Sequence, residues 1–399
     1  MIFQEGIKHS ERVGDIRVTT RTNLGGDWLL CNGANVDGET YPEFADKASW
    51  SSWSNKGGSI YCSNPRVFVY GEKILYAMRN ASSGTSSYYS FRYSADGGES
   101  FSNYTYSNTD LNIWAVNVGG IYCYNGLWYV SSTYHSTGAI LYTTDPSAKA
   151  NWSVYSLGTV GSVNGIHCHE GTWVVCGSDS NGVGCVWVLG DVVNGADTFT
   201  QYTLGGEECV KAFYHNGIWG VVAVNGTTGV ISLYTTNDIT SGNWTETTAY
   251  SGDGDSVDVF GLYAYNGVWA ISCTNEVAYA RVLYSDNPTG TWRESSLGTA
   301  YWPSSICCHN GTWYVVVVSS TSSAYPILES TNDLFSGTWN SEEIVSSYVH
   351  PCEIVVNGNG IFTTGQGASS SYYLRAYKKS KVVPTISIDG AYAYIKARE

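Results

Sequence analysis

The middle of the chain repeats one tight-turn signal at nearly constant spacing. In each clear copy an Asn-Gly or Glu-Gly pair follows a Tyr or His, and a Trp stands two residues after the glycine. Asn-Gly between alternating apolar residues is the strongest local signal for a two-residue β-hairpin, because both turn residues must take positive φ. The clear copies are Tyr124 to Trp128, His169 to Trp173, His215 to Trp219, Tyr265 to Trp269 and His309 to Trp313.

These hairpins divide the chain into repeated units. With weaker copies at Gly71 and Gly358, the turn glycines mark seven units spaced 44 to 55 residues apart. Each hairpin is followed by a third extended run, a polar turn and an aromatic residue that opens a fourth run, as from Thr236 to Trp244. Four strands per unit of this length are typical of a β-propeller. We therefore predict an all-β fold with a seven-bladed β-propeller over residues 48–380.

The seventh unit lacks an aromatic-led fourth strand, while the front of the chain has one to spare. The three strands of this unit are expected between residues 353 and 378, and Trp50 begins an extended run of its own. We predict that Trp50 opens the outer strand of the last blade. Closure by both ends of the chain removes an exposed sheet edge. It also brings residues 1–47 and 381–399 together as one small base.

The hairpin tryptophans occupy equivalent positions in their units. The chain holds 15 Trp and 32 Tyr but only 2 Met, a profile that suits an aromatic-rich all-β protein. Regular placement suits packing between blades, so we predict that these side chains are buried. They are Trp128, Trp173, Trp219, Trp269 and Trp313.

Both ends of the chain carry a pattern of their own. The run Trp28-Leu-Leu-Cys-Asn-Gly33, followed by Tyr41-Pro-Glu-Phe44, resembles the tail-collar module of bacteriophage tail proteins. The ending Tyr394-Ile-Lys-Ala397 is similar to the finish of many such proteins. The resemblance implies a part of a virion or of a phage-tail-like particle, assembled in the host cytoplasm. The segments 1–47 and 381–399 would then form a tail-collar-like base.

One polar turn invites a comparison with enzymes. Ser94 to Phe101 fits the pattern Ser-x-Asp-x-Gly-x-Ser-Phe and is similar to the Asp-box of sialidase-like propellers. Sialidase chemistry needs an arginine cluster, and the ten arginines here do not fall at matching blade positions. No Gly-x-Ser-x-Gly elbow or Walker loop is present. We expect a protein that is not an enzyme. A tail-associated glycan-cleaving enzyme is the alternative, and a structural decoration or collar protein of the virion is the third interpretation.

The charge of the chain restricts its partners. A net charge of −14 argues against nucleic acid or an anionic membrane, because both need a basic surface. The sequence shows no membrane-spanning run and no secretory leader, so we expect no membrane insertion. The expected partners are a bacterial surface polysaccharide, other phage tail or virion proteins and further copies of the chain in a homo-oligomer.

The predicted topology separates two faces of the ring. Hairpin turns and polar turns lie on one face, and the opposite face carries the loops between second and third strands and the blade crossings. Variable loops on a rigid scaffold commonly carry recognition, and aromatic rings among polar groups suit sugars. Packing between blades is the alternative for each ring. The candidate ligand-binding residues are Trp114, Tyr134, His135, Tyr301, Trp302, Tyr348 and His350. We therefore expect a receptor-binding or adhesion subunit that recognises a bacterial surface glycan.

One loop concentrates acidic residues beside glycine. Asp253, Asp255 and Asp258 stand at alternating or near-alternating positions, and hard cations such as Ca²⁺ take many oxygen ligands. The loop lacks the terminal Glu and the full spacing of a helix-loop-helix calcium site. Two interpretations stay open at this point, a solvated loop and a Ca²⁺ site, and we expect no other cofactor.

Overall fold

The structure is a computed structural model, and its described part is built of β-strands. The other regular elements there are two 3₁₀ turns, Lys149–Asn151 and Leu334–Ser336. The predicted all-β class is therefore confirmed. The described residues are 16–19, 28–30, 50–55, 60–81, 87–98, 100–106, 117–134, 136–190, 199–206, 208–252, 257–275, 278–319, 326–344, 349–357, 360–367, 371–379 and 392–396.

The strands are numbered in chain order. The first fifteen are β1 (Ile16–Thr19), β2 (Trp28–Leu30), β3 (Trp50–Asn55), β4 (Ile60–Tyr70), β5 (Lys73–Ala81), β6 (Ser87–Ser94), β7 (Ser102–Tyr106), β8 (Asn117–Tyr124), β9 (Leu127–Tyr134), β10 (Thr137–Thr143), β11 (Ser153–Thr159), β12 (Ser162–His169), β13 (Thr172–Ser178), β14 (Gly184–Leu189) and β15 (Phe199–Thr203). The others are β16 (Glu208–His215), β17 (Ile218–Asn225), β18 (Val230–Thr236), β19 (Thr245–Ser251), β20 (Val259–Tyr265), β21 (Val268–Thr274), β22 (Tyr279–Ser285), β23 (Arg293–Tyr301), β24 (Ile306–His309), β25 (Thr312–Val318), β26 (Pro326–Thr331), β27 (Asn340–Glu343), β28 (Val349–Asn357), β29 (Gly360–Gly367), β30 (Ser371–Lys379) and β31 (Tyr392–Lys396).

The chain divides into two compact units. The first comprises Met1–Ser54, Asn357–Ile361 and Tyr377–Glu399, and the second comprises Asn55–Val356 and Phe362–Ala376. The predicted domain boundaries, after residues 47 and 380, stay predictions.

The two ends of the chain pair within the first unit. Strand β31 lies between β1 and β2 and runs antiparallel to both. In this register Ile395 stands opposite Ile16 on one side and Leu29 on the other. The strand that Trp50 opens, β3, pairs with β30, as the sequence predicts.

Sequential strands of the second unit form four-stranded antiparallel sheets. Strands β8 to β11, β12 to β15 and β16 to β19 are three such sheets. Strands β20 to β23 and β24 to β27 have the same order and meet through the pair Tyr301–Val318. Strands β4 to β7 follow the same order, and β4 also pairs with β30. Sheets of this size and order fit the blades of a β-propeller.

The hairpin turns have the backbone that the repeat predicts. Between β8 and β9, Asn125 has a φ of 50° and Gly126 a φ of 78°. A Cβ on Gly126 would meet nothing within 4 Å, so the glycine is required by the conformation alone. The same pair of positive φ angles recurs at the turn residues 170 and 171, 216 and 217, 266 and 267, and 310 and 311.

The polar turns between third and fourth strands share one hydrogen-bond arrangement. Ser94 Oγ accepts the N–H groups of Asp96 and Gly98, and the Asp96 carboxylate accepts the N–H of Ser100. A hydroxyl that accepts the N–H two residues later satisfies a backbone donor and fixes the turn. The same bond forms from Asp145 to Thr143, from Asp238 to Thr236, from Asn287 to Ser285 and from Asp333 to Thr331.

The hairpin tryptophans are buried between neighbouring sheets. All five are at most 4% exposed, which confirms the prediction. The Trp173 ring lies 3.6 Å from the Tyr129 ring of the preceding sheet, measured between centroids. Trp269 presses on Gly220, where a Cβ would lie 2.5 Å from the indole. These contacts hold consecutive sheets together.

We expect Trp269→Ala to lower the free energy of unfolding by about 3–5 kcal/mol, because it opens a cavity between two sheets. The matched control is Tyr70→Ala, since Tyr70 is 40% exposed. This control should change stability by less than about 0.5 kcal/mol. Urea unfolding followed by circular dichroism measures both. Equal losses in the two variants would contradict the packing role.

Candidate functional site

The second unit encloses a cavity of about 300 Å³. Each strand that lines it is the first strand of a hairpin repeat, so the cavity lies where these strands converge. Its walls combine aromatic rings, aliphatic side chains and one ion pair. The lining strands are β4, β8, β12, β16, β20, β24 and β28.

An arc of aromatic rings forms one wall of the cavity. Successive ring centroids lie 4.6 to 4.8 Å apart, so each ring contacts the ring on the next lining strand. Each ring stands four residues before the second residue of its hairpin turn. At the same level β24 and β28 contribute Cys307 and Val355. We call this set the aromatic arc; its members are Phe68, Tyr122, His167, Phe213 and Tyr263.

The polar members of the arc are uncharged near neutral pH. His167 is buried, and burial lowers its pKa to about 3, with a smaller contribution from His169. Burial likewise raises the pKa of Tyr122 and of Tyr263 well above the ordinary tyrosine value. The arc therefore presents neutral rings.

An ion pair crosses the cavity next to the arc. Lys211 Nζ on β16 lies 3.1 Å from Glu353 Oε1 on β28, and each side chain is 14% exposed. The other carboxylate oxygen of Glu353 accepts the N–H of Val67 on β4. Burial lowers the pKa of Lys211, the Glu353 carboxylate opposes that shift, and the nearby Arg66 adds to it. Three strands that are distant in sequence thus meet at one buried charge pair.

The ion pair occupies a level at which four of the five other repeats carry Gly or Ser. A register shift between residues 209 and 211 brings Lys211 to this level, and similar shifts precede Gly120, Gly165 and Gly261. A Cβ on Gly261 would lie 2.6 Å from the N atom of Ile306, so neighbouring strands approach to backbone contact. We call this the charged level; its positions are Arg66, Gly120, Gly165, Lys211, Gly261, Ser305 and Glu353.

Sequence reasoning missed the arc and the charged level. A usable signal was present, because both sets keep a constant distance from the hairpin turns. Lys211 and Glu353 are charged residues at a position that holds glycine in three other repeats.

Two predicted ligand-binding residues lie together in an aromatic cluster. Tyr301 ends β23, and its ring centroid lies 5.0 Å from Tyr279 and 5.9 Å from Trp302. We call Tyr279, Tyr301 and Trp302 the Tyr301 cluster; all three are half-buried. The Arg281 guanidinium lies 5.9 Å from the Tyr279 ring and contacts Glu294 at 2.6 Å.

Trp302 has a strained backbone. Its φ is 38°, in the left-handed region that bulky residues rarely adopt. Such conformations cost roughly 1–3 kcal/mol and concentrate at functional sites. With this backbone conformation the indole lies beside Tyr301, at 5.9 Å between ring centroids.

The other predicted ligand-binding residues are placed only in part. Tyr134 ends β9 and His350 lies in β28, and the structure describes their backbone. Trp114, His135 and Tyr348 lie outside the described residues.

Two carboxylates lie at the starts of neighbouring inner strands. Glu208 begins β16, and Asp258 precedes β20. Partial burial raises the pKa of Asp258, and the Glu208 carboxylate raises it further. The Glu208 carboxylate also accepts a hydrogen bond of 2.7 Å from Asn164 Nδ2. Glu208 and Asp258, which are 50 residues apart in sequence, thus interact electrostatically.

The structure describes one of the three aspartates that are predicted to bind Ca²⁺. Asp253 and Asp255 lie outside the described residues, while Asp258 lies within them. In the part of the chain that the structure describes, no three His, Cys, Asp or Glu side chains are placed to hold a metal ion. The calcium site stays a prediction. The same part of the chain contains no helix suited to crossing a membrane.

A second cavity of about 260 Å³ lies beside the loop between β17 and β18. Its lining includes Ser232, Tyr234 and Glu246, and Ser232 Oγ donates to Glu246 Oε1 at 2.8 Å. Asn225 at the loop accepts the N–H of Thr228. Hydroxyl, carboxylate and amide groups thus converge on this cavity, which we call the Glu246 pocket.

Comparisons with known proteins identify the fold. The chain is similar to the β-propeller domain of the Trilobed protease from Pyrococcus furiosus, with a TM-score of 0.51 and 10% identity over 80% of this chain and 96% of that one. It is also similar to puromycin hydrolase, with a TM-score of 0.52 and 11% identity over 86% of this chain. The acylaminoacyl peptidase of Pyrococcus horikoshii gives a TM-score of 0.52 and 11% identity over 88% of this chain.

These similarities show a β-propeller and nothing finer. The matches span 58% of puromycin hydrolase and 54% of the peptidase. No family model matches the chain, and no curated protein matches it. All three similar structures come from proteins that are enzymes by name, so the expectation that this chain is not an enzyme stays a prediction.

We expect acid to destabilise the protein through His167. Its folded pKa of about 3 lies below the unfolded value of 6.5, so the unfolded chain binds the proton more readily between these values. The contribution of neutral His167 to the stability of the folded state is therefore complete above about pH 6.5, and it is lost progressively as the pH falls towards 3. At pH 5 the loss is about 2 kcal/mol.

Urea unfolding at pH 7.5 and pH 5.0 measures this loss. His167→Phe removes the titrating group and keeps a ring, as Phe68 and Phe213 do at equivalent positions. The Phe variant should lose about 2 kcal/mol less than the native protein over that interval. The same pH dependence in both proteins would contradict the assignment.

Proposed function

We propose that the protein is a receptor-binding or adhesion subunit of a phage tail or phage-tail-like particle, and that it binds a bacterial surface glycan. The Tyr301 cluster carries this proposal. Its three half-buried rings lie beside a strained backbone at the loop face. The tail-collar resemblance of the chain ends supports the location in a virion.

The chemistry of the loop face suits sugars. Aromatic rings cover the apolar C–H faces of a sugar, while nearby polar groups bond its hydroxyls. The Glu246 pocket supplies hydroxyl, carboxylate and amide groups beside the loop between β17 and β18. Repeated weak contacts hold a particle firmly when several copies bind one surface, because each bound copy raises the effective concentration of the next.

The proposed architecture comprises seven blades, with β3 as the outer strand of the last blade, and a tail-collar-like base made by both chain ends. Seven first strands line the central cavity, which supports the blade count. The pairing of β3 with β30 supports β3 as the fourth strand of the last blade. The sheet β1-β31-β2 supports a base that joins both ends. The base would contact other tail or virion proteins, and Asp253, Asp255 and Asp258 would hold Ca²⁺.

Glycan cleavage is the second candidate function, and one observation favours it. Glu208 and Asp258 are neighbouring carboxylates, and the pKa of Asp258 is raised. Two carboxylates with different proton affinities can act as acid and base on a glycosidic bond.

An assay on purified bacterial polysaccharides separates the two functions. Retention of the protein without release of reducing ends supports adhesion, and sustained release that Asp258→Asn abolishes supports cleavage.

We expect Tyr301→Ala and Trp302→Ala each to weaken retention on the recognised polysaccharide by about tenfold, since loss of one stacking ring costs about 1.4 kcal/mol. Lys73→Ala, on the hairpin-turn face, is the matched control and should leave retention unchanged. Melting temperatures check that folding is intact. Retention that survives both loop substitutions but fails in the control would place binding on the opposite face.

We expect removal of residues 1–55 to lower the melting temperature more than removal of residues 1–49. Both deletions remove β1 and β2, but only the longer one removes β3 and exposes the edge of β30. Differential scanning calorimetry on the two truncated proteins measures the difference. Equal melting temperatures would overturn the closure of the ring by β3.

A further inference from the structure

We propose that the central cavity is a binding site for a small carboxylate anion with a flat ring, its carboxylate at Lys211 and its ring against the aromatic arc. The proposal is independent of the glycan-binding function. The cavity lies among the inner strands, whereas the Tyr301 cluster lies at a loop. Its volume of about 300 Å³ is at the lower end of the range for small-molecule sites.

Lys211 has donors to offer such an anion. An ammonium group has three N–H donors, and one of them is committed to Glu353. Both carboxylate oxygens of Glu353 already accept hydrogen bonds, one from Lys211 Nζ and the other from the N–H of Val67. The cation of the pair therefore keeps the capacity to bind a further group, and its side chain lines the cavity.

The charged level carries an excess of positive charge. Lys211 and Glu353 cancel formally, and Arg66 adds one positive charge close enough to lower the pKa of Lys211. The Arg66 Nε donates to the Gly119 carbonyl oxygen, which fixes the guanidinium beside β8. This local charge of +1 contrasts with the net −14 of the whole chain. A single carboxylate would neutralise it.

Burial of this pair demands a reason beyond stability. Taking two charges out of water costs several kcal/mol each, and hydrophobic replacements of a buried pair are often neutral or stabilising. Small residues already fill four positions of the charged level, so the fold does not require charge there. A bound anion gives the charges a function.

The distance between the charged level and the aromatic arc matches the length of a small aromatic carboxylate. Lys211 and Phe213 are two residues apart on β16, a separation of about 7 Å along a strand. This is close to the length of a benzoate ion. A ring that follows the carboxylate would meet Phe213 and its neighbours His167 and Tyr263, which lie 4.6 Å away by ring centroids.

Calorimetric titration with benzoate tests the proposal on the full chain. Benzamide has the same shape without the charge, and acetate has the charge without the ring. We expect saturable binding of benzoate, with benzamide and acetate at least tenfold weaker. Absence of saturable benzoate binding, or equal binding of benzamide, would overturn the proposal.

Two variants locate the site. Lys211→Met together with Glu353→Met removes both charges and leaves neither one buried alone, and it should weaken benzoate at least tenfold. Arg66→Gln keeps the ion pair and should weaken benzoate severalfold. Lys73→Met removes an exposed positive charge and should have no effect. Benzoate affinity that is unchanged in the double variant and in Arg66→Gln would exclude this cavity. Polysaccharide retention by the same variants reports separately on the glycan-binding function.

Discussion

The close approach of the inner strands is the constraint on which the rest of the structure depends. Neighbouring first strands come to backbone contact, so that a Cβ on Gly261 would lie 2.6 Å from the N atom of Ile306. Such contact leaves room for a side chain at few positions of the charged level. Those few positions therefore decide the chemistry of the cavity: Lys211 and Glu353 line it, and Arg66 lies close to Lys211. The hairpin tryptophans fill the wider space farther out between the sheets.

The two binding surfaces that we propose differ in physical character. The rings and the ion pair of the central cavity belong to first strands, which pair with the second strands of their sheets and pack against one another. The loop face varies from repeat to repeat and carries the Tyr301 cluster, the Glu246 pocket and the carboxylates Glu208 and Asp258. A rigid ring with variable loops lets each surface change without disturbing the other.

Similarity to propellers of peptidases and hydrolases does not transfer their activities. Propellers host many functions, and a similarity at 10–11% identity shows a shared fold rather than a shared functional site. Function therefore has to be argued from side chains of this chain. The strained Trp302 beside Tyr301 and the buried charges of Lys211 and Glu353 are the features that a purely structural ring would not need.

The sequence by itself determined the repeat and everything local that depends on it. Asn125 and Gly126 encode their turn through backbone conformation, Ser94 and Asp96 encode theirs through hydrogen bonds to nearby N–H groups, and the tryptophan of each hairpin is buried because its position recurs. The spare strand at Trp50 was visible for the same reason. Tertiary structure alone decided the cavity. Lys211 and Glu353 are 142 residues apart, and Glu208 and Asp258 lie at the starts of strands in different sheets. Their meeting depends on how strands curve around one axis, and no short-range pattern records that geometry. The aromatic arc is marked in the sequence only by its constant distance from the hairpin turns, because packing around the cavity accepts Phe, Tyr or His alike and leaves no fixed residue type to recognise.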